Sequence, residues 1–197
     1  YNRPGDRSDS FTNLSPKLGL SYALNDFHSL QLRAQRGFRA PQASEMYRLQ
    51  NNQNIADLNS VELDSYEVEF KGAGEGWAYS AGYYFMDKQN EIVTNSARVN
   101  LNNSHTQHTG LEFSLGLDIT ETLALAAVYN FAEHTYENSE ISGGIDIQGN
   151  NVDTAPRQFG NLRLRWTPSE RVTSELELVS MGEYYTNPEN TASYSGH

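Results

Sequence analysis

The chain has 197 residues, enough for one or two domains, and its 25 acidic against 14 basic side chains leave a net charge of −11 that argues against a nucleic-acid partner. It has no cysteine, which excludes a disulfide framework, a thiolate metal site and a cysteine nucleophile. Twelve Tyr, eight Phe and two Trp coexist with a mean hydropathy of −0.67, and no apolar run approaches the ~20 residues of a membrane helix. A water-soluble β-protein fits those figures, and so does a β-barrel whose membrane signal is hidden by alternation.

Tyr1 is not an initiator methionine and is followed by no secretory signal. The chain stops at Tyr194-Ser195-Gly196-His197 without a closing strand. The expectation is a section of a larger protein.

From Ser15 to Leu24, Leu18, Leu20, Tyr22 and Leu24 alternate with Lys17, Gly19, Ser21 and Ala23, a period of two that marks a strand. Asn25-Asp26-Phe27 turns the chain, and His28 to Phe38 returns with Leu30, Leu32 and Ala34 set against Gln31, Arg33 and Gln35. Pro41 lacks an amide donor and ends that strand, and a long polar loop is expected from Arg39 to Ser60.

A second hairpin alternates Tyr66, Val68 and Phe70 with Glu67, Glu69 and Lys71, turns in the glycines from Gly72 to Gly76, and returns through Trp77, Tyr79, Ala81, Tyr83 and Phe85. A polar stretch from Asp87 to Gln107 follows, with weaker strand character at Ile92-Val93. The third hairpin carries Leu111, Phe113, Leu115, Leu117 and Ile119 into a Thr120-Glu121-Thr122 turn, then Leu123, Leu125, Ala127, Tyr129 and Phe131. Beyond a loop from Glu133 to Arg157, the fourth hairpin sets Leu162, Leu164 and Trp166 against a strand with Leu176 and Leu178, across a turn at Pro168-Ser169-Glu170. Arg163 and Arg165 are expected to face Glu175 and Glu177, opposite charges that contribute roughly 0.2–1 kcal/mol per pair.

The fold class is therefore all-β: an antiparallel up-and-down meander of about eight long strands in four hairpins, with short turns at one end and long loops at the other. That is the layout of an outer-membrane barrel. A soluble sandwich or lipocalin-type barrel would also alternate, but would bury its apolar face. Two features favour the membrane barrel. One face holds Glu67, Glu69, Glu112, Asp118, Arg163, Arg165, Glu175 and Glu177, which suits a wet lumen. The other carries aromatics near strand ends (Tyr22, Trp77, Tyr129, Phe131, Trp166, Tyr184), as interfacial girdles require.

Ser15-Pro16-Lys17-Leu18-Gly19-Leu20-Ser21-Tyr22, Gly37-Phe38-Arg39-Ala40-Pro41 and Glu45-Met46-Tyr47 occur in that order. They are followed by Glu62 to Gly72, Tyr83 to Val93, His108 to Glu112, and Gly149-Asn150 through Ala155-Pro156-Arg157. This series resembles the barrel of TonB-dependent outer-membrane receptors, which import iron complexes, cobalamin and some sugars. The resemblance covers nearly the whole chain. It implies a roughly 22-stranded barrel in the outer membrane of a Gram-negative bacterium, filled by an N-terminal plug and energised through TonB. Residues 1–197 would be a partial barrel domain, with plug, energy-coupling box and final strands outside it.

The implied cargo is a ferric siderophore or a similar small metal complex, and the implied partners are the lipid bilayer, the receptor's own plug and TonB. No resident cofactor and no enzymatic activity are expected. The alternative is a passive porin-like or structural barrel. For ligand contact the candidates are the loop-base residues Arg36, Arg39, Tyr47, Arg48, Arg98, Tyr136 and Arg157, since guanidinium and ring contacts suit anionic or aromatic chelates.

Other readings are weaker. Haem receptors share the Phe38-Arg39-Ala40-Pro41 box, but no histidine lies between Pro41 and Tyr66, and Leu58-Asn59 stands in place of an Asn-Pro motif. His105 and His108 fall on opposite faces of a period-two strand, so no metal site is expected there. Asp146 to Asp153 supplies oxygens but lacks the spacing of a calcium loop.

Overall fold

The computed structural model describes residues 8–47, 57–94 and 100–197. In chain order these form β1 (Lys17–Ala23), β2 (His28–Arg39), a single helical turn α1 (Ala43–Met46), β3 (Val61–Gly74), β4 (Trp77–Thr94) and β5 (Asn100–Thr120). Then come β6 (Leu123–Tyr136), β7 (Ile141–Ser142), β8 (Ile145–Asp146), β9 (Gln158–Ser169), β10 (Val172–Met181), β11 (Tyr184–Tyr185) and β12 (Ser193–Tyr194). Eight strands make one antiparallel sheet in the order β1-β2-β3-β4-β5-β6-β9-β10, while β7-β8 and β11-β12 are separate two-stranded ribbons. The four hairpins expected from alternation are all present.

Local chemistry fixes the turns at one end. Asn25 Oδ1 accepts the amides of Phe27 and His28, each at 2.9 Å, and closes the first hairpin. Gly76 takes a φ of 72°, a left-handed angle that glycine adopts without penalty, at the tip of the second. In the fourth hairpin β9 runs on to Ser169, so the turn is Glu170-Arg171 rather than Pro168-Ser169-Glu170. Pro168 lies beyond the last β6 pairing, opposite a register shift in β10, where no amide donor is needed.

Register carries side chains across the sheet in rows. Leu20, Leu32, Val68, Tyr83, Leu111 and Phe131 form one row, and Tyr22, Leu30, Phe70, Ala81, Phe113 and Tyr129 the next. Nearer the turns, Trp77, Leu117, Leu125, Leu164 and Leu176 continue the same face. His28, Phe70, Trp77 and Tyr79 gather there, with ring centroids 5.7–6.0 Å apart. Gly72 and Gly74 make the room: a Cβ on Gly74 would stand 2.5 Å from Trp77 Nε1. Tyr184, expected in the aromatic girdle, instead meets Tyr194 in the β11-β12 ribbon, the rings tilted by 38° with centroids 5.2 Å apart, and is not part of the sheet.

This apolar face is uncovered. Leu20 is 59% exposed, Tyr22 61%, Phe113 47% and Leu176 60%, and the buried hydrophobics among the described residues are Met46, Leu58, Val61, Ala132 and Ile147. Uncovered apolar rows are what the lipid-facing side of a barrel wall presents.

The strands outrun their alternation. β5 has 21 residues, about 70 Å at ~3.3 Å per residue, yet its apolar alternation covers only Leu111 to Ile119, close to the 9–11 residues that cross a bilayer. Below Leu111 both faces turn polar while pairing continues. The polar stretch from Asp87 to Gln107, expected to have weaker strand character at Ile92-Val93, is mostly strand: β4 reaches Thr94 and β5 begins at Asn100. The Arg39–Ser60 loop contains α1, and the Glu133–Arg157 loop holds the end of β6 and the β7-β8 ribbon.

Candidate functional site at the loop end of the polar face

The face opposite the apolar rows is a lattice of cross-strand polar pairs. Arg33 Nη1 donates to Glu67 Oε2 at 2.7 Å and Asn130 Nδ2 to Glu112 Oε1 at 3.0 Å, while Lys71 Nζ lies 3.0 Å from Glu69 on the same strand. Glu175 stands opposite Arg165 and Glu177 opposite Arg163, as the hairpin reading required, with ion pairs at 3.1 and 2.9 Å. Tyr84 lies over Gly110, where a Cβ would approach its ring to 2.4 Å.

Toward the long loops this face acquires walls. Where Pro41 stops β2, the chain folds into α1, and Glu45 ties the turn back to the strand end. Its carboxylate accepts Arg39 Nη1 at 2.9 Å and the Gln42 amide at 2.7 Å, while its carbonyl accepts Asn100 Nδ2 at 2.8 Å. Burial disfavours the charged carboxylate, but the bonds from Arg39 and the Gln42 amide outweigh it and hold Glu45 below the usual range. Met46 and Leu58 form a small core against Phe11, Tyr47 and Ile92, and the Tyr47 hydroxyl donates to Asp9.

A second wall rises from the two ribbons. Asn190 Oδ1 accepts the Asn151 amide at 2.8 Å and its Nδ2 donates to the Asn151 carbonyl at 2.9 Å. Ser142 donates to Glu189, and that bond first of all holds the Glu189 carboxyl below its ordinary range. Tyr136 Oη donates to Asp153 Oδ1 at 2.8 Å, and Arg157 Nη2 to Asn151 Oδ1 at 2.8 Å.

The candidate contact residues therefore divide. Arg39 lies on the polar face at the strand end, Tyr136 at the end of β6, Tyr47 in the small core beside α1, and Arg157 at the foot of the second wall. Arg36 shares the apolar-row face of β2 with Leu32 and Ala34 and is clamped by Asp64 at 2.6 and 2.7 Å. Arg48 and Arg98 lie outside the described residues.

Asp146 accepts the Ser139 hydroxyl at 2.7 Å and the Gln148 and Glu140 amides, which hold its carboxyl low. Asp153 is engaged by Tyr136, and among the described residues no three His, Asp or Glu side chains converge.

The sequence reading missed one pairing. His108 on β5 and His134 on β6 stand directly opposite each other on the polar face, Nδ1 to Nδ1 at 2.7 Å. Both are equidistant from Glu121 in the third hairpin turn, which was the available signal. His105, on the other face, lies 2.6 Å from Asp87.

A family described as "TonB dependent receptor-like, beta-barrel" matches residues 1–197. Among solved structures, the ferric yersiniabactin uptake receptor FyuA from Yersinia pestis superposes with a TM-score of 0.78 at 14% identity, over 92% of this chain and 28% of that one. The siderophore receptor PiuA from Acinetobacter baumannii gives 0.74 at 17% identity, over 92% and 28%. The copper transporter OprC gives 0.72 at 11% identity, over 93% and 29%. The chain spans under a third of the length of these structures, and at such identities the likeness is one of fold.

Proposed function

Since the chain belongs to the TonB-dependent receptor β-barrel family of the Gram-negative outer membrane, we propose that it forms part of the wall of a receptor that imports a scarce nutrient, with a ferric siderophore as cargo. The family match along all of residues 1–197 carries this reading. On it, the uncovered apolar rows meet lipid and the paired polar face lines the lumen, against a plug supplied by another part of the receptor. Energy would come through TonB.

The siderophore assignment draws on the receptors for ferric yersiniabactin and other siderophores that share the fold. Within this chain Arg39, Tyr47, Tyr136 and Arg157, with Arg48 and Arg98 from the loops, would meet the chelate. Guanidinium groups recognise carboxylate, catecholate or hydroxamate oxygens by paired donors, and tyrosine rings cover the apolar parts. Arg36 would serve the wall instead.

The test is growth of a receptor-deletion strain under iron limitation, complemented with the full-length gene and supplied with single ferric siderophores. At least one chelate should restore growth only with the gene present. An Arg39→Ala/Arg157→Ala receptor should need about tenfold more of it, the loss of one or two charge-assisted contacts. Complementation by none of a broad panel of chelates would overturn the siderophore reading.

A further inference from the structure

We propose that Met86, His108 and His134 form a soft-metal site on the polar face, of a kind that takes cuprous ion. The three are consecutive in one cross-strand row: Met86 on β4 pairs with His108 on β5, which pairs with His134 on β6. Directly opposed residues in an antiparallel sheet have Cβ atoms ~5 Å apart, within reach of a single ion for side chains of this length. Period-two alternation sets all three on the face of Arg33, Glu67 and Glu112, at the height where the apolar rows of the other face give way to Asp87 and Gln107.

The two imidazoles already aim at a common point. Their Nδ1 atoms are 2.7 Å apart, a separation that requires one ring to donate and the other to accept. A metal bound to both at about 2.0 Å with a trigonal or tetrahedral angle needs the nitrogens roughly 3.3–3.5 Å apart. The rings have to part by less than an ångström. The ring that donated then carries its proton on Nε2, so binding releases no net proton.

His108 has an acceptor waiting for that proton. Thr106 Oγ1 lies 3.0 Å from His108 Nε2, and Thr106 is 2% exposed. A hydrogen-bond partner on the far ring nitrogen is the usual support of a metal-binding histidine, setting tautomer and ring orientation. The nearby cation Lys88 is paired with Glu91, which offsets its repulsion of a metal. The third member of the trio is a thioether rather than a carboxylate, thiolate or imidazole. That thioether selects the ion, since two imidazoles alone suit zinc, nickel or copper, whereas methionine sulfur favours Cu(I).

The test uses the intact receptor purified in detergent, free of chelate. Cu(I) is supplied anaerobically in competition with a chromophoric Cu(I) chelator, and Zn(II) is titrated separately. The wild type should hold one Cu(I) equivalent more than His108→Ala/His134→Ala. Met86→Leu should weaken Cu(I) binding at least about tenfold and leave Zn(II) unchanged, and Thr106→Val should weaken it about 10–100-fold. X-ray absorption of the copper-loaded wild type should show sulfur with imidazole nitrogen, and Met86→Leu should lose the sulfur.

Equal Cu(I) stoichiometry and affinity in wild type and Met86→Leu would overturn the site, as would a sulfur signal that survives Met86→Leu. The leucine variant preserves volume and keeps both histidines, so these outcomes stand even where the double-histidine variant does not fold. Siderophore uptake plays no part in the measurement, and failure here leaves the proposed function untouched.

Discussion

Arg36 grips Asp64 through two hydrogen bonds, Nε to Oδ1 at 2.7 Å and Nη2 to Oδ2 at 2.6 Å, on the face of β2 that also carries Leu30, Leu32 and Ala34. Asp64 in turn pairs in register with Asp87, and Asp87 with Gln107, so a polar row begins where the apolar rows stop. The Arg36 side chain is 43% exposed, so the pair is a surface ion pair weakened by solvent screening. Arg36→Ala and Asp64→Asn should each lower resistance to unfolding slightly, and together cost less than the sum. Cargo affinity should be unchanged in both. Unfolding in vesicles and binding titration check the two halves.

The two faces should report different solvents. With spin labels on single cysteines introduced at Leu111, Phe113 and Leu115, collisions with oxygen should dominate. Labels at Glu112 and Ser114 should respond more to a water-soluble nickel chelate. The alternation should fade at Gln107 and His108, where strand pairing continues after the apolar rows have ended.

Gly110 is a packing position. A Cβ there would meet Tyr84 ring atoms at 2.4–2.5 Å, so the ring has to move aside. Gly110→Ala should destabilise the receptor by about 1–3 kcal/mol, as overpacking does. Tyr84→Ala in the same chain should return part of the loss, a coupling that a double-mutant cycle in the folded receptor measures directly.

The α1 turn should respond to acid. Glu45 titrates below its ordinary value of 4.5 because Arg39 and the Gln42 amide overcome the cost of burial. A depressed folded pKa gives stability that is complete above the unfolded value and is lost as pH falls through the folded one. Amide protection across residues 42–47, corrected for intrinsic exchange, should therefore hold from neutral pH down to about 5 and fall at more acid pH. Glu45→Ala should show the reduced protection already at pH 7.

Much of the wall was legible in the sequence because one face is apolar and the other charged. Leu18 to Tyr22, Leu111 to Ile119 and Leu123 to Phe131 announce their strands by that contrast alone, and the facing of Arg163 and Arg165 with Glu177 and Glu175 follows from the turn between them. Contrast vanishes where a strand is wet on both sides. That is why Asp87 to Thr94 and Asn100 to Gln107 read as a polar stretch with weak strand character only at Ile92-Val93, although they are paired. The candidate site suffers the same blindness. Arg36 and Arg39 look alike in sequence, and only the parity of β2 separates the outer rim from the inner face. His108 and His134 came together through a register that had to be counted outward from Glu121.

The most direct test of the central reading is accumulation of a radiolabelled ferric siderophore by cells carrying the full-length receptor, with and without TonB. Active import requires accumulation against the gradient that disappears when TonB is deleted or the inner-membrane potential is collapsed, while binding at the cell surface persists. Uptake that proceeds equally in both strains and stops at the external concentration would contradict it, and would mark the wall as that of a passive pore.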